Sequence, residues 1–140
     1  MKIFFDSSSY IKKFILEQGS AEVDDYCQQA SILGLSIICL PEMMSALNRK
    51  VRESNLSKEN YYNVKEQIIG DIEDIQIINL VPEVVEGSIS LLENNKLRSL
   101  DALHLSCALT WNTELFISSD KRQIQAAENS GLEVQFITVE

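Results

Sequence analysis

The chain has 140 residues, 45% of them hydrophobic, with 21 acidic side chains against 12 lysines and arginines and a formal net charge of −9. This length suits a single domain over residues 1–140 that buries roughly two-thirds of its unfolded surface and needs no disulfide to fold. The composition is that of a soluble globular protein; no apolar run reaches the roughly 20 residues of a membrane span, and the overall acidity is wrong for a uniformly basic nucleic-acid-binding surface.

Lys2–Phe5 reads as a short buried strand, three apolar residues running into Asp6. Asp6 interrupts the apolar stretch too early for a signal peptide, so a cytoplasmic protein is expected. Ser7–Leu16 has helical spacing, with Tyr10, Ile11, Phe14 and Ile15 on one side, and Gly19 stops it. Ser20 is placed to cap a second helix reaching about Ala30, with Glu22 in its first turn. Leu35–Leu40 is a second strand, and Pro41 suits the first turn of a helix carrying Met44, Leu47 and Val51 on one face. Ser57 caps a helix to about Asp74, with Tyr61, Val64 and Ile68 along it. Ile75–Leu80 is a third strand. Pro82 opens a helix through Asn94, and Ser99 caps one through Trp111. Glu114–Ser118 is a fourth strand; a helix over Asp120–Asn129 ends at Gly131, and Glu133–Val139 is a fifth strand. Continuous apolar strands separated by helices predict a three-layer α/β domain, its five-stranded, mainly parallel sheet covered by helices on both faces. The apolar faces from Pro41 to Asp74 are explained mainly by core packing, with dimer or partner contact as the other reading.

Cys27, Cys39 and Cys107 are odd in number, widely spaced and in apolar segments, as reduced core residues are. The single histidine, His104, argues against a zinc site.

In an open parallel sheet, ligands bind beyond the carboxyl ends of the strands. Asp6 follows the first strand, Glu42 lies in the first turn of the helix after the second, Asp120 follows the fourth, and Asp101 begins the helix before the fourth. Each has a plainer reading: Asp6 as a helix cap, Glu42 and Asp120 as acids favoured by a helix N-terminus. Asp101, between Leu100 and Leu103, has less of one. Taken together, four carboxylates in one pocket need cations or protons, because two unit charges 4 Å apart repel by about 4 kcal/mol at an effective dielectric of 20. Hard oxygen donors without thiolate or imidazole suit Mg²⁺ or Mn²⁺, and such a site handles phosphate substrates.

The stretches FFDSSSYIKKF, PEMMSALNRKV, LRSLDALHLSCAL and FISSDKRQIQAA resemble those of the PIN-domain ribonucleases, specifically the VapC-like toxins of toxin–antitoxin modules. The resemblance spans Lys2 to the last strand. It implies a PIN-like fold and a Mg²⁺- or Mn²⁺-dependent endoribonuclease with Asp6, Glu42, Asp101 and Asp120 as the acidic metal-site residues. It also implies that Ser8 hydrogen-bonds within the site, that a small antitoxin protein neutralises the enzyme, and that the toxin is a homodimer. Some relatives carry a further acid shortly after the last Asp; here Lys121, Arg122 and Gln123 follow Asp120.

The charge distribution fits that implication. Glu53–Glu93 holds nine acids and two lysines, a local charge of −7, whereas basic residues gather near the candidate site acids: Lys12 and Lys13, Arg49, Lys50 and Arg52, Lys96 and Arg98, Lys121 and Arg122. RNA needs cationic contacts to its phosphates, and Arg49, Arg98, Lys121 and Arg122 are the candidates. His104, one helical turn from Asp101, reads as a buried histidine satisfied by a backbone or carboxylate partner rather than as a general acid or base. Trp111, Phe14 and Tyr10 read as core or interface groups. An aspartate-nucleophile phosphatase would need a second Asp where Ser8 stands, and a phosphorylated receiver domain would need an acid ending the third strand, where INLVPE offers none. The remaining alternative is a non-catalytic PIN-like interaction module.

Overall fold

A computed structural model describes residues 1–139. It contains β1 (Lys2–Phe5), α1 (Ser7–Tyr10), a 3-10 turn (Ile11–Lys13), α2 (Ser20–Gln29), β2 (Ile32–Ser36), α3 (Cys39–Arg52), α4 (Lys58–Ile72), β3 (Gln76–Ile78), α5 (Pro82–Asn94), α6 (Ser99–Thr110), β4 (Leu115–Ser118), α7 (Lys121–Asn129) and β5 (Glu133–Phe136). All four strand pairings are parallel, in the order β3-β2-β1-β4-β5. The chain therefore builds outward from β1 in one direction, then returns to its other side with β4. The junction of β1 and β4 is the point where an open parallel sheet opens a crevice beyond its strand ends.

The three layers follow from strand alternation. Ile3, Phe5, Leu35 and Ile117 point to one face, where they meet Tyr10, Val23, Met43, Leu47, Val64 and Ile68 from α1–α4. Phe4 and Phe116 point to the other and meet Val84, Leu91, Leu105, Ala108, Ala126 and Ala127 from α5–α7. Phe4 and Phe116 stack with ring centroids 5.9 Å apart, and Trp111 tilts over Phe4. The apolar residues of α3 and α4 are thus mainly core: Leu47, Val64 and Ile68 are buried, with Met44 and Tyr61 packed on their cluster. Val81, Val85, Ile89 and Leu92 of α5 and the segment leading into it are exposed. Among the described residues no helix is long and apolar enough to cross a membrane. The three cysteines are free; Cys39 and Cys107 are buried and Cys27 is half-buried.

Several boundaries differ from those the sequence predicts. β2 lies over Ile32–Ser36, and α3 starts at Cys39. Ser36 ends the strand because its hydroxyl accepts the Ile38 amide and turns the chain, so Ile37 and Cys39, apolar enough for a strand, sit in the turn and the helix. The first helix closes at Tyr10 and tightens into the 3-10 turn, while Ile11, Phe14 and Ile15 still cover the core; Leu16 is 94% exposed. Gly19, at φ +93°, is the N-cap of α2, and Ser20, inside the helix, accepts the Glu17 amide and donates to the Ile15 carbonyl. Arg98 rather than Ser99 occupies the N-cap of α6. Ser57 caps α4 as expected, accepting the Asn60 amide at 3.1 Å.

Gly34 on β2 is required by close approach: a Cβ there would lie 2.7 Å from the Trp111 ring. That ring is held from outside by Lys2 Nζ, 4.4 Å from its centroid, and its indole N–H donates to Gln76. Gly34→Ala should lower stability by about 1–3 kcal/mol, the usual cost of overpacking. It should also alter the near-UV dichroism of the only tryptophan. A variant with unchanged denaturation midpoint and spectrum would refute the contact.

Candidate functional site

β1 delivers Asp6 to the sheet's rim beside the end of β4: the Asp6 amide donates to the Ile117 carbonyl at 3.1 Å. Asp6 is completely buried. It is the N-cap of α1, its Oδ1 accepting from the Ser9 amide at 3.0 Å, and it is more than a cap. The Ser9 hydroxyl also donates to Oδ1, at 2.7 Å. The Ser8 and Ser118 hydroxyls donate to Oδ2, each at 2.7 Å, and the Gln123 side-chain amide adds a bond at 3.0 Å. Ser8 and Ser118 also accept the Ser119 and Asp120 amides, so the same hydroxyls tie the end of β1 to the loop after β4.

α6 carries Asp101 in its first turn and His104 one turn later, both buried because this helix is enclosed almost all round. Asp101 Oδ1 accepts from Gln123 at 3.1 Å. Its Oδ2 is buried without a hydrogen-bond partner, the closest cation being Arg98 Nε at 3.6 Å. α3 brings Glu42, whose Oε1 receives the Ser7 hydroxyl at 2.8 Å and meets His104 Nε2. His104 thus has the carboxylate partner expected of a buried histidine. Asp120 caps α7, accepting the Arg122 amide at 2.9 Å.

Asp6, Glu42, Asp101 and Asp120 line one cavity of about 360 Å³, with Ser7, Ser8, Arg49, Lys50, Arg98 and Gln123 also on its walls. Among the described residues, no three His, Cys, Asp or Glu side chains are gathered closely enough to clasp an ion as they stand. The donor set nevertheless fits a hard divalent cation. It is all carboxylate oxygen, and Asp101 presents a buried oxygen with nothing bonded to it.

Burial raises the Asp6 carboxyl above its ordinary pKa, against the opposing pull of His104 and the serine hydroxyls. Burial also raises Asp101, reinforced by the charge of Asp120 and opposed by Arg98 and His104. Glu42 goes the other way: burial pushes it up, but the hydrogen bond and charge of His104, together with Ser7 and Arg98, outweigh that and hold it below its usual value.

The basic residues divide. Arg49, Lys50 and Arg98 line the acidic cavity. Lys121 and Arg122 line a separate groove of about 340 Å³ with Lys96, Asn94, Asn95 and Asn129. Lys12 is buried in a pair with Glu17, and Lys13 pairs with Asp71 at 2.6 Å, so both serve the fold. Sequence reasoning missed Ser9, Ser118 and Gln123. The signal for Gln123 was a polar residue in line with Ala126 and Ala127 on the inward face of α7.

Because Asp6 and Asp101 bind protons more readily folded than unfolded, each adds stability below its unfolded pKa and loses it as pH rises through the raised folded value. In chelator, Asp101→Asn should therefore raise the melting temperature at pH 7 by a few degrees, the effect of about 1 kcal/mol. The gap to wild type should shrink as pH falls toward about 4. Thermal melts from pH 4 to 8 check this; a gap independent of pH would contradict the assignment.

Comparison with curated protein sequences gives no match. Among solved structures, a toxin–antitoxin complex from Klebsiella pneumoniae superposes with a TM-score of 0.68 at 20% identity, over 87% of this chain and 89% of that one. VapC20 from Mycobacterium tuberculosis, a sarcin-ricin loop cleaving toxin, gives 0.69 at 13% identity over 89% and 94%. VapBC2 from Rickettsia felis, bound to a DNA fragment from its promoter, gives 0.68 at 12% identity over 97% and 98%. At these identities the likeness is one of fold. The family model described as PIN domain matches residues 3–129, and with the parallel sheet and the acid-lined crevice at its strand ends already in place, the chain belongs to the PIN domain family.

Proposed function

We propose that this protein, a single PIN domain over residues 1–140, is a Mg²⁺- or Mn²⁺-dependent endoribonuclease and the toxin of a toxin–antitoxin pair. The observation that carries the reading is the cavity at the β1–β4 junction, where four carboxylates share one space and one of them, Asp101, keeps a buried oxygen unpartnered. Asp6, Glu42, Asp101 and Asp120 would hold the cation. When bound, the ion supplies Lewis acidity that acidifies water and offsets charge developing on a phosphate.

The chain's own groups do the rest. Ser8, Ser9 and Ser118 hold the Asp6 carboxylate in one orientation, and Ser7 with His104 holds Glu42, keeping it ionised. Arg49 and Arg98 at the cavity receive RNA phosphates, and Lys121 and Arg122, in a separate groove, offer a second cationic contact. Asp6 and Asp101 are buried, while Glu42 and Asp120 are partly open to solvent, so water can reach the site. The toxin assignment draws support from solved relatives of the same fold that are toxin–antitoxin complexes. On that reading a small antitoxin protein blocks this site, the active species is a homodimer, and the protein works in the cytoplasm. The non-catalytic alternative rests on Asp6, whose oxygens are already supplied with protein donors.

Cleavage of a fluorescent RNA with Mn²⁺ separates the two. Asp6→Asn should lower the rate by about 100-fold or more, the scale of losing an electrostatic catalytic group. Mn²⁺ should raise the melting temperature of wild type and leave that of the variant nearly unchanged. Cleavage that survives in Asp6→Asn defeats the site assignment. Arg98→Ala should weaken RNA binding and reduce the slope of log affinity against log salt by about 0.7, one phosphate contact on a single strand. An unchanged slope removes Arg98 from the RNA path.

A further inference from the structure

Gln123 is 3% exposed, on the inward face of the first turn of α7. Its single nitrogen, Nε2, lies 3.0 Å from Asp6 Oδ2 and 3.1 Å from Asp101 Oδ1, joining two buried carboxylates carried by different elements. Its other polar atom, Oε1, is buried with no partner. A buried carboxamide with an unanswered carbonyl is unfavourable in itself, so its placement is explained by what the nitrogen does. Two like charges in a low-dielectric cavity repel, and one NH₂ group carries two protons, one for each carboxylate.

Asp6 Oδ2 already receives the Ser8 and Ser118 hydroxyls at 2.7 Å each. The Gln123 bond is a third donor on an oxygen with about two lone-pair directions, and it is the longest of the three. A cation approaching that oxygen competes with Gln123 first. The carboxylates as they stand do not form a closed clasp, and the Gln123 amide is bonded between two of them.

We propose that Gln123 is a positioning residue of the acidic site: its amide stands in for a cation between Asp6 and Asp101 in the metal-free protein and gives up those bonds when a divalent ion binds. This rests on the metal-site reading above. By linkage, a brace present only in the metal-free state stabilises that state and weakens apparent metal affinity by the same factor. A residue that merely fills space would stabilise both states alike.

The test compares wild type with Gln123→Met, which keeps length and apolar bulk but has no donor. In chelator the variant should melt below wild type, and Mg²⁺, titrated calorimetrically, should bind it about tenfold more tightly, since hydrogen bonds to charged groups are of that strength. A lower melting temperature with unchanged Mg²⁺ affinity would overturn the proposal and leave Gln123 as packing; an unchanged melting temperature in chelator would overturn it too. If Gln123→Met does not fold, the side-chain amide resonances of Gln123 in the wild-type protein decide. They should move on Mg²⁺ addition, and resonances that stay fixed while Mg²⁺ raises the melting temperature refute the exchange. Should wild type bind no Mg²⁺ at all, the metal-site reading fails. The brace is then judged alone by a metal-free double-mutant cycle between Gln123→Met and Asp101→Asn, where zero coupling refutes it.

Discussion

An ionisable group with no access to water, at the end of the central strand, is the constraint on which the rest of the site depends. Desolvating a carboxylate without compensation costs several kcal/mol, and Asp6 is fully buried. Its answer is a shell of neutral donors: two bonds from Ser9, one each from Ser8 and Ser118, and one from Gln123. Three serines near Asp6 and Asp120 share one physical explanation: the Ser8, Ser9 and Ser118 hydroxyls donate to the Asp6 carboxylate, and Ser8 and Ser118 also accept the Ser119 and Asp120 amides of the loop after β4, whereas Ser7 donates to Glu42. Local backbone geometry and site electrostatics are therefore one structure.

The four acids are compensated unequally, and the inequality is chemically useful. Glu42 has a histidine and a hydroxyl and stays ionised. Asp120 caps a helix. Asp6 has only neutral hydrogen-bond donors, and Asp101 keeps a bare buried oxygen with an arginine at 3.6 Å. For the proposed metal site, the unpartnered Asp101 oxygen would be the point of uncompensated negative potential that attracts an ion. The surrounding cations are divided between fold and function. Lys12 and Lys13 are held in ion pairs, whereas Arg49, Lys50 and Arg98 stand on the cavity wall. For the proposed RNA substrate, a locally basic rim on a chain of net charge −9 would reconcile acidic composition with a polyanion.

Much of this was legible in the chain itself. Ile3-Phe4-Phe5 and Leu115–Ser118 announce buried strands, helical spacing announces the covering layers, and strand-ending acids announce the rim, because burial on both faces of a parallel sheet imposes continuous apolar runs. Legibility failed where apolar character did not distinguish strand from helix. Ile37, Ile38 and Cys39 extend the second strand on paper, but the Ser36 hydroxyl captures the Ile38 amide and hands the chain to α3. Likewise the spacing from Tyr10 to Ile15 is helical, yet the helix tightens after one turn while the same side chains still reach the core.

Periodicity and residue type thus determined the α/β class, the parallel layers and the four acids, since these depend on burial and on charge, which each residue carries wherever it goes. Only the tertiary structure decided the strand order, which sets β4 beside β1 and so Asp120 beside Asp6. It also decided that His104 reaches Glu42 across 62 positions, that Lys121 and Arg122 face a separate groove, and that Gln123 lies between Asp6 and Asp101. Those are relations between elements distant in sequence, and a donor's partner is set by which element packs opposite it.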